Sequence, residues 1–326
     1  MIITRTPLRI SIGGGGTDLP SYYEQRGGFC ISAAIDKYIF ISLNRTFTPD
    51  YFLKYSKLER TPSIDEIEHP IIREAFRSHG VGSSLEFGST ADIPAGTGLG
   101  SSGTFTVGLL KALHAYGRSP VVTHDLAEEA CHIEMDLLNE PCGKQDQYIA
   151  AFGGLTCFEF QKSGEVKVSP LRVSTDTLNN LETHLLLFFT GYSRSASGML
   201  ADQKTRSQTN DVAMLDNLDR TKELGYEIRD ALEGGYCEDF GKMMHQHWET
   251  KRKRSAGMSN PEIDSFYDLA MDNGATGGKL VGAGAGGFLL LYTSDPQRLR
   301  AAMSGAGLQE VPFRFDLDGS VVLARS

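Results

Sequence analysis

The sequence predicts an α+β chain of two halves that share a cleft. Three observations predict it. Strands and helices alternate through the first half, residues 196–254 read as two or three helices broken at Gly234 and Gly235, and the tail returns to strands. A composition shift puts a soft boundary near residues 165–180, giving expected units of 1–170 and 171–326. No repeat and no flexible linker separates them.

Residues 2–6 and 8–12 read as strands, and 19–25 as a short helix after four glycines. Residues 31–34 and 38–44 follow as strands, with Ile41 and Leu43 alternating against Ser42. Residues 64–79 are predicted as a helix because Ile67, Ile71, Ile72 and Ala75 share one face. A strand over 85–91 leads into a glycine-rich turn and a helix over 104–116, stopped by Gly117. Residues 123–139 carry the stripe Leu126, Ala130, Ile133 and Leu137, with Thr123 or Asp125 available as a cap. Further strands are expected over 155–160, 166–169 and 185–190, around 277–287, over 288–292 and 311–315, and over 320–324.

Bulk properties exclude several classes. A 40% hydrophobic, 22% charged chain of 326 residues is globular, and its net charge of −9 argues against nucleic-acid or anionic-membrane partners. No apolar run approaches the roughly 20 residues that span a bilayer, and the start lacks a signal-peptide pattern. A cytoplasmic location is the expectation. The five cysteines are scattered and read as reduced; the histidines form no zinc motif, so no zinc site is expected.

Residues 94–103, Pro-Ala-Gly-Thr-Gly-Leu-Gly-Ser-Ser-Gly, hold four glycines and two serines. Missing Cβ atoms let backbone N–H groups converge on an anion, and Ser101 and Ser102 stand where the helix begins, at its positive end. This is a phosphate cradle. It is not a Walker loop, and although Gly98, Gly100 and Gly103 fit G-x-G-x-x-G, no acidic-ended strand follows as the dinucleotide fingerprint requires.

Near the N-terminus, Arg9 precedes the glycine run 13–16 and Asp18. The run suits ligand touching main chain, Asp18 can take two hydroxyls of a polyol as well as cap the following helix, and Arg9 offers a fixed positive fork. Glu134 leans toward the buried stripe and there needs a cation or metal. With the Ser102 hydroxyl it can hold Mg²⁺, while Asp146 can accept the proton of an acceptor hydroxyl. A second glycine-rich turn, 277–287, reads either as a crowded hairpin or as a loop closing over substrate.

Together the three glycine regions resemble the motifs of the GHMP kinases, the family of galactokinase, homoserine kinase, mevalonate kinase and phosphomevalonate kinase. Residues 94–103 are similar to its phosphate loop. Residues 139–147, Asn-Glu-Pro-Cys-Gly-Lys-Gln-Asp-Gln, are similar to the galactokinase segment with the catalytic aspartate, and Glu134 stands at the magnesium position. Residues 6–18 resemble the sugar-binding signature, but Gly15 and Gly16 replace its Glu-His, which points away from galactose. Within the family, residues 4–23, 190–197, 247–252 and 259–263 are similar to the branch acting on D-glycero-D-manno-heptose 7-phosphate, with motifs shared by other sugar 1-kinases.

The resemblance implies a ribosomal-protein-S5-type N-terminal domain with a left-handed crossover, a ferredoxin-like C-terminal domain, and ATP- and Mg²⁺-dependent phosphorylation of an anomeric hydroxyl. It implies ATP at Pro94, Gly96, Gly98, Leu99, Gly100, Ser101, Ser102, Gly103 and Thr104, and Mg²⁺ at Ser102 and Glu134. Catalysis falls to Asp146 and Arg9, and sugar binding to Gly15, Gly16, Thr17, Asp18, Cys142, Gly143, Lys144 and Gly284. A sugar phosphate also needs a cationic pocket; Arg194 with Ser195 is one candidate, and the run 251–254, with Lys251 or Arg252 in contact, another. Fucose, glucuronate or arabinose remain alternative acceptors, a non-catalytic sugar sensor is the reading from another class, and the oligomeric state is left open.

Overall fold

The computed structural model describes residues 1–191, 197–282, 284 and 286–325. Its first sheet is built on two long antiparallel strands, Ile2–Gly13 and Gly28–Arg45, the residues where the sequence suggests four short ones. Register shifts at Pro7/Leu8 and between Ser11 and Gly13 let the pair bend without breaking. The sheet continues in the order Val321–Arg325, Ile2–Gly13, Gly28–Arg45, Leu85–Ala91, Tyr51–Lys54, Leu58–Thr61. Leu155–Phe160 also pairs with Gly28–Arg45 and carries Val166–Pro170. All pairings are antiparallel except Tyr51–Lys54 with Leu85–Ala91. The expected unit 171–326 thus sends its last strand, Val321–Arg325, back into the first sheet beside Ile2–Gly13.

The helix Ser101–Tyr116 packs on this sheet at close range. A Cβ on Gly108 would stand 2.8 Å from Thr6 Oγ1, and the Thr4 and Thr104 hydroxyls donate to the carbonyls of Gly108 (3.0 Å) and Pro7 (3.1 Å). These bonds fix where the helix N-terminus sits relative to Arg9.

The second sheet, Gln309–Glu310, Leu185–Gly191, Gly287–Thr293, Ala275–Val281, is antiparallel throughout. Trp248, Tyr267, Leu289, Leu299 and Met303 form its core beneath the helices Cys237–Arg252, Pro261–Asp272 and Pro296–Gly305. The helix Val212–Glu233 joins the halves: Gly225 faces Gly14 so closely that its Cβ would stand 3.2 Å from Gly14 Cα. Among the described residues no helix is long and apolar enough to cross a membrane.

Several expected elements differ. The helix expected over 64–79 is a single turn, Ile64–Glu66, then the helix Pro70–Ser78, because Pro70 has no N–H to continue a helix but suits a first turn. The helix expected over 123–139 is α-helical only over Thr123–Cys131 and widens into a π-helical segment, His132–Leu137. Neither Thr123 nor Asp125 caps it; Val122 holds that position without a side-chain bond. The strand expected over 311–315 reduces to a bridge between Phe315 and Ile35. The helix Thr175–His184 and the pair Tyr51–Lys54 and Leu58–Thr61 carried no expectation.

Candidate active site

Both halves line one cleft of about 680 Å³, and the three glycine regions meet on its walls. The turn at 94–103 and the turn at 277–287 meet main chain to main chain. A Cβ on Gly98 (φ +86°) would stand 2.6 Å from Val281 O, one on Gly282 2.5 Å from Gly98 Cα, and one on Gly287 2.3 Å from Thr97 O. Each position therefore excludes a side chain on two counts, left-handed backbone and contact.

Arg9 sits at the centre. Its guanidinium grips both oxygens of Asp146 (Nε to Oδ1 2.7 Å, Nη2 to Oδ2 2.9 Å) and donates to Gly98 O at 2.6 Å, while its backbone N–H donates to Leu99 O at 3.0 Å. One residue thus ties the phosphate turn to the aspartate, which stands in the first turn of the helix Gln145–Phe152 rather than in a loop. Gly103 brings that helix in, since a Cβ there would lie 2.9 Å from Asp146 Cβ.

Glu134, carried inward by the π-helical segment, is 2% exposed. It accepts from Ser102 Oγ at 2.6 Å and Gln147 Nε2 at 3.0 Å, and forms no ion pair among the described residues. Burial raises its pKa, bonds from Ser102, Gln147 and Thr106 oppose this, and the Asp146 charge adds to the rise. A buried carboxylate beside a hydroxyl and lacking a cation is an oxygen donor set that fits Mg²⁺. Ser101 Oγ, also buried on the cleft wall, has no hydrogen-bond partner among the described residues, which fits a phosphate oxygen arriving there.

Asp18 is 7% exposed and accepts from the backbone of Gly16 (3.0 Å) and Gln145 (3.2 Å). Burial lifts its pKa, with the Asp146 charge acting the same way. It does not cap the helix Pro20–Arg26, whose cap position is Leu19. Gly143 exists for this carboxylate: its Cβ would lie 2.0 Å from Asp18 Oδ2.

On the opposite wall four basic side chains gather without an ion-paired carboxylate among the described residues. Lys251 donates to the carbonyls of Leu280 (2.9 Å) and Gly282, and Lys279 to Ile12 O (2.9 Å). Arg254 bonds Asn217 Oδ1 (3.0 Å), Thr221 Oγ1 (2.9 Å) and Gly15 O (3.3 Å), and both ring nitrogens of buried His247 lack a hydrogen-bond partner among the described residues. Burial, then mutual repulsion, pushes Lys279 down to about 7; burial brings Arg254 to about 10, and Lys251 and His247 also fall. Such a cluster, strained by burial and mutual repulsion, is a ready seat for an anion.

Not every expected residue faces the cleft. Gly96, Gly98, Gly100, Ser101 and Ser102 line it; Pro94, Leu99, Gly103 and Thr104 shape the turn from behind. Gly15, Gly16, Asp18, Cys142, Gly143 and Lys251 line it. Thr17 does not: its buried hydroxyl locks the turn to Gly14 O and Phe29 O. Lys144 turns away to Glu128 and Gly164 O, and Gly284 is packed between Met199 and Met258. Arg252 pairs with Glu249 and Asp264. Arg194 and Ser195 lie outside the described residues. Lys279, His247, Gln145 and Ser11 line the cleft without having been singled out; for Lys279 the only signal was a cation inside a glycine-rich strand.

Residues 69–154 match the family described as GHMP kinases N terminal domain, and residues 214–308 that described as GHMP kinases C terminal. The chain is 32% identical, over 91% of its length and 90% of the relative's, to D-glycero-alpha-D-manno-heptose 7-phosphate kinase of Campylobacter jejuni. It is 26% identical to the galactokinase of Pyrococcus furiosus, over 88% of this chain and 87% of that one. A crystal structure of a D-glycero-D-manno-heptose 1-phosphate kinase from Bacteroides thetaiotaomicron superposes with TM-score 0.82 at 26% identity, covering 100% of both chains.

Proposed function

The chain belongs to the GHMP kinases, and on that premise we propose that it phosphorylates the anomeric hydroxyl of D-glycero-D-manno-heptose 7-phosphate, giving the 1,7-bisphosphate for activated-heptose and surface-polysaccharide synthesis. It is a sugar kinase with ATP as donor. The bond between the γ-phosphorus and the bridging oxygen breaks, and one from that phosphorus to O1 forms. The turn 96–102 cradles the triphosphate with its N–H groups and the Ser101 hydroxyl. Asp146, held rigid by Arg9, orients the acceptor hydroxyl and takes its proton. Ser102 and Glu134 would hold Mg²⁺, which neutralises charge on the transferring group. Asp18, held by the Gly16 and Gln145 amides, and the Gly15 main chain receive the sugar hydroxyls. In this reading residues 1–170 carry nucleotide and aspartate, and 171–326 supply the cationic wall.

The observation that carries the acceptor assignment is the cluster Lys251, Arg254 and Lys279, unpaired by any carboxylate, in the cleft that holds Asp146. A neutral sugar would leave these charges uncompensated; a second phosphate satisfies them. ADP release across heptose 7-phosphate, the unphosphorylated heptose, fucose, glucuronate, arabinose and galactose tests it. The expected result is the highest kcat/KM on the phosphorylated heptose. Equal or greater activity on an unphosphorylated sugar overturns the assignment while leaving the kinase chemistry in place.

A further inference from the structure

Far from the cleft, three side chains separated in sequence converge on one point. His79 ends the helix Pro70–Ser78, His114 lies in the last turn of Ser101–Tyr116, and Glu129 belongs to Thr123–Cys131. Glu129 presents one oxygen to each imidazole, Oε1 at 2.8 Å from His79 Nε2 and Oε2 at 2.8 Å from His114 Nε2. The rings meet edge to face with centroids 4.8 Å apart, and one ligand atom from each residue lies within 4.8 Å of the others. All three side chains are partly buried, at 17%, 16% and 28% exposure, so the group is neither sealed nor a loose surface cluster.

We propose that His79, His114 and Glu129 form a zinc site that staples three helices behind the phosphate turn. Two neutral imidazoles and a carboxylate, with the remaining position open to water, are the donor set zinc takes in tetrahedral sites. The expectation of no zinc site rested on sequence spacing, and these ligands become neighbours only through the packing of three helices.

The same geometry sets the affinity. In the metal-free protein each Nε2 hydrogen points at Glu129, so binding moves each ring proton to Nδ1. His114 Nδ1 is buried and has no partner to receive it among the described residues. Strong sites supply that outer partner, whose loss typically costs about 10- to 100-fold, so this one binds more weakly than a site with a complete outer shell. His114 lies about 20 Å along its helix from Ser101, at 1.5 Å per residue, so the ion sits apart from the chemistry.

The test uses the full chain, stripped with chelator and free of nucleotide, titrated with Co²⁺ as a visible probe and then with Zn²⁺. One equivalent of Co²⁺ develops the d–d absorption of an imidazole-bound ion, Zn²⁺ displaces it, and zinc at about ten times its Kd raises Tm by roughly 2–4 °C. His79→Ala and Glu129→Gln each weaken binding at least tenfold, with circular dichroism confirming the fold; Glu129→Gln keeps the shape where an alanine would leave a gap. Absence of a Co²⁺ spectrum, or Zn²⁺ affinity unchanged in both variants, overturns the proposal, the second outcome placing the ion on the cleft carboxylates instead.

Discussion

Lys279 offers the sharpest test of the cationic wall, because a proton reports on it. Its buried ammonium is pushed down to about 7, so at pH 8 it carries its proton in only about one free molecule in ten. A phosphate dianion seated against Nζ adds a charge-assisted hydrogen bond of about 1.5–3 kcal/mol, or about one to two pH units at 1.36 kcal/mol per unit. The pKa then rises to about 8–9, and each binding event draws in about 0.4–0.8 proton. Calorimetric titration with heptose 7-phosphate at pH 8, in two buffers of different ionisation enthalpy, measures that uptake directly. At this pH the sugar phosphate is already a dianion and contributes little. Lys279→Met should lose this share of the uptake and lower kcat/KM for the phosphorylated sugar by about ten- to hundredfold. Stability supplies a second readout. The unfolded chain keeps this proton to about 10.5 while the folded one releases it near 7, so stability rises with pH across that interval, and the Met variant flattens the rise. No proton uptake by the wild type, or equal uptake by the variant, would refute the reasoning.

Two further outcomes follow from the opposite wall. Asp146→Asn should cut kcat by about 10²–10⁴ while ATP affinity stays within a few-fold, measured by ADP release and nucleotide titration; unchanged turnover removes Asp146 from catalysis. Gly98→Ala should raise the KM for ATP about tenfold or more, because a left-handed alanine costs about 1–2 kcal/mol and its methyl meets Val281 O at 2.6 Å. Gly96→Ala, left-handed as well but with nothing within 4 Å, is the control and should show the smaller effect.

What could be read from the sequence was whatever a residue declares by its own type. Glycines at 98, 100 and 103 announced a turn that excludes side chains, and the structure supplies the neighbours that enforce it, Val281, Arg9 and Asp146. Asp146, Glu134 and Ser102 could be singled out because few residue types can hold a metal or a proton, and the structure places all three at one cleft. Misread residues are those whose partners lie far along the chain. Thr17 spends its hydroxyl on Phe29 O, and Lys144 its charge on Glu128 and Gly164. Lys279 was hidden for the converse reason, since a charge in a strand of buried residues looks like a packing exception until Arg254 and Lys251 appear beside it. Pro70 misled by its surroundings, an apolar face that continued across a residue which cannot continue a helix.

The widened turn His132–Leu137 makes the site depend on chain length. Such a segment holds one more residue per turn than the helix before it, so everything downstream is rotated by about 100° relative to a regular spiral. Losing that residue would swing Glu134 out of the core toward solvent without changing one side chain at the site. Within this scaffold, the length of the segment therefore matters to the site as much as the identity of the acid it carries.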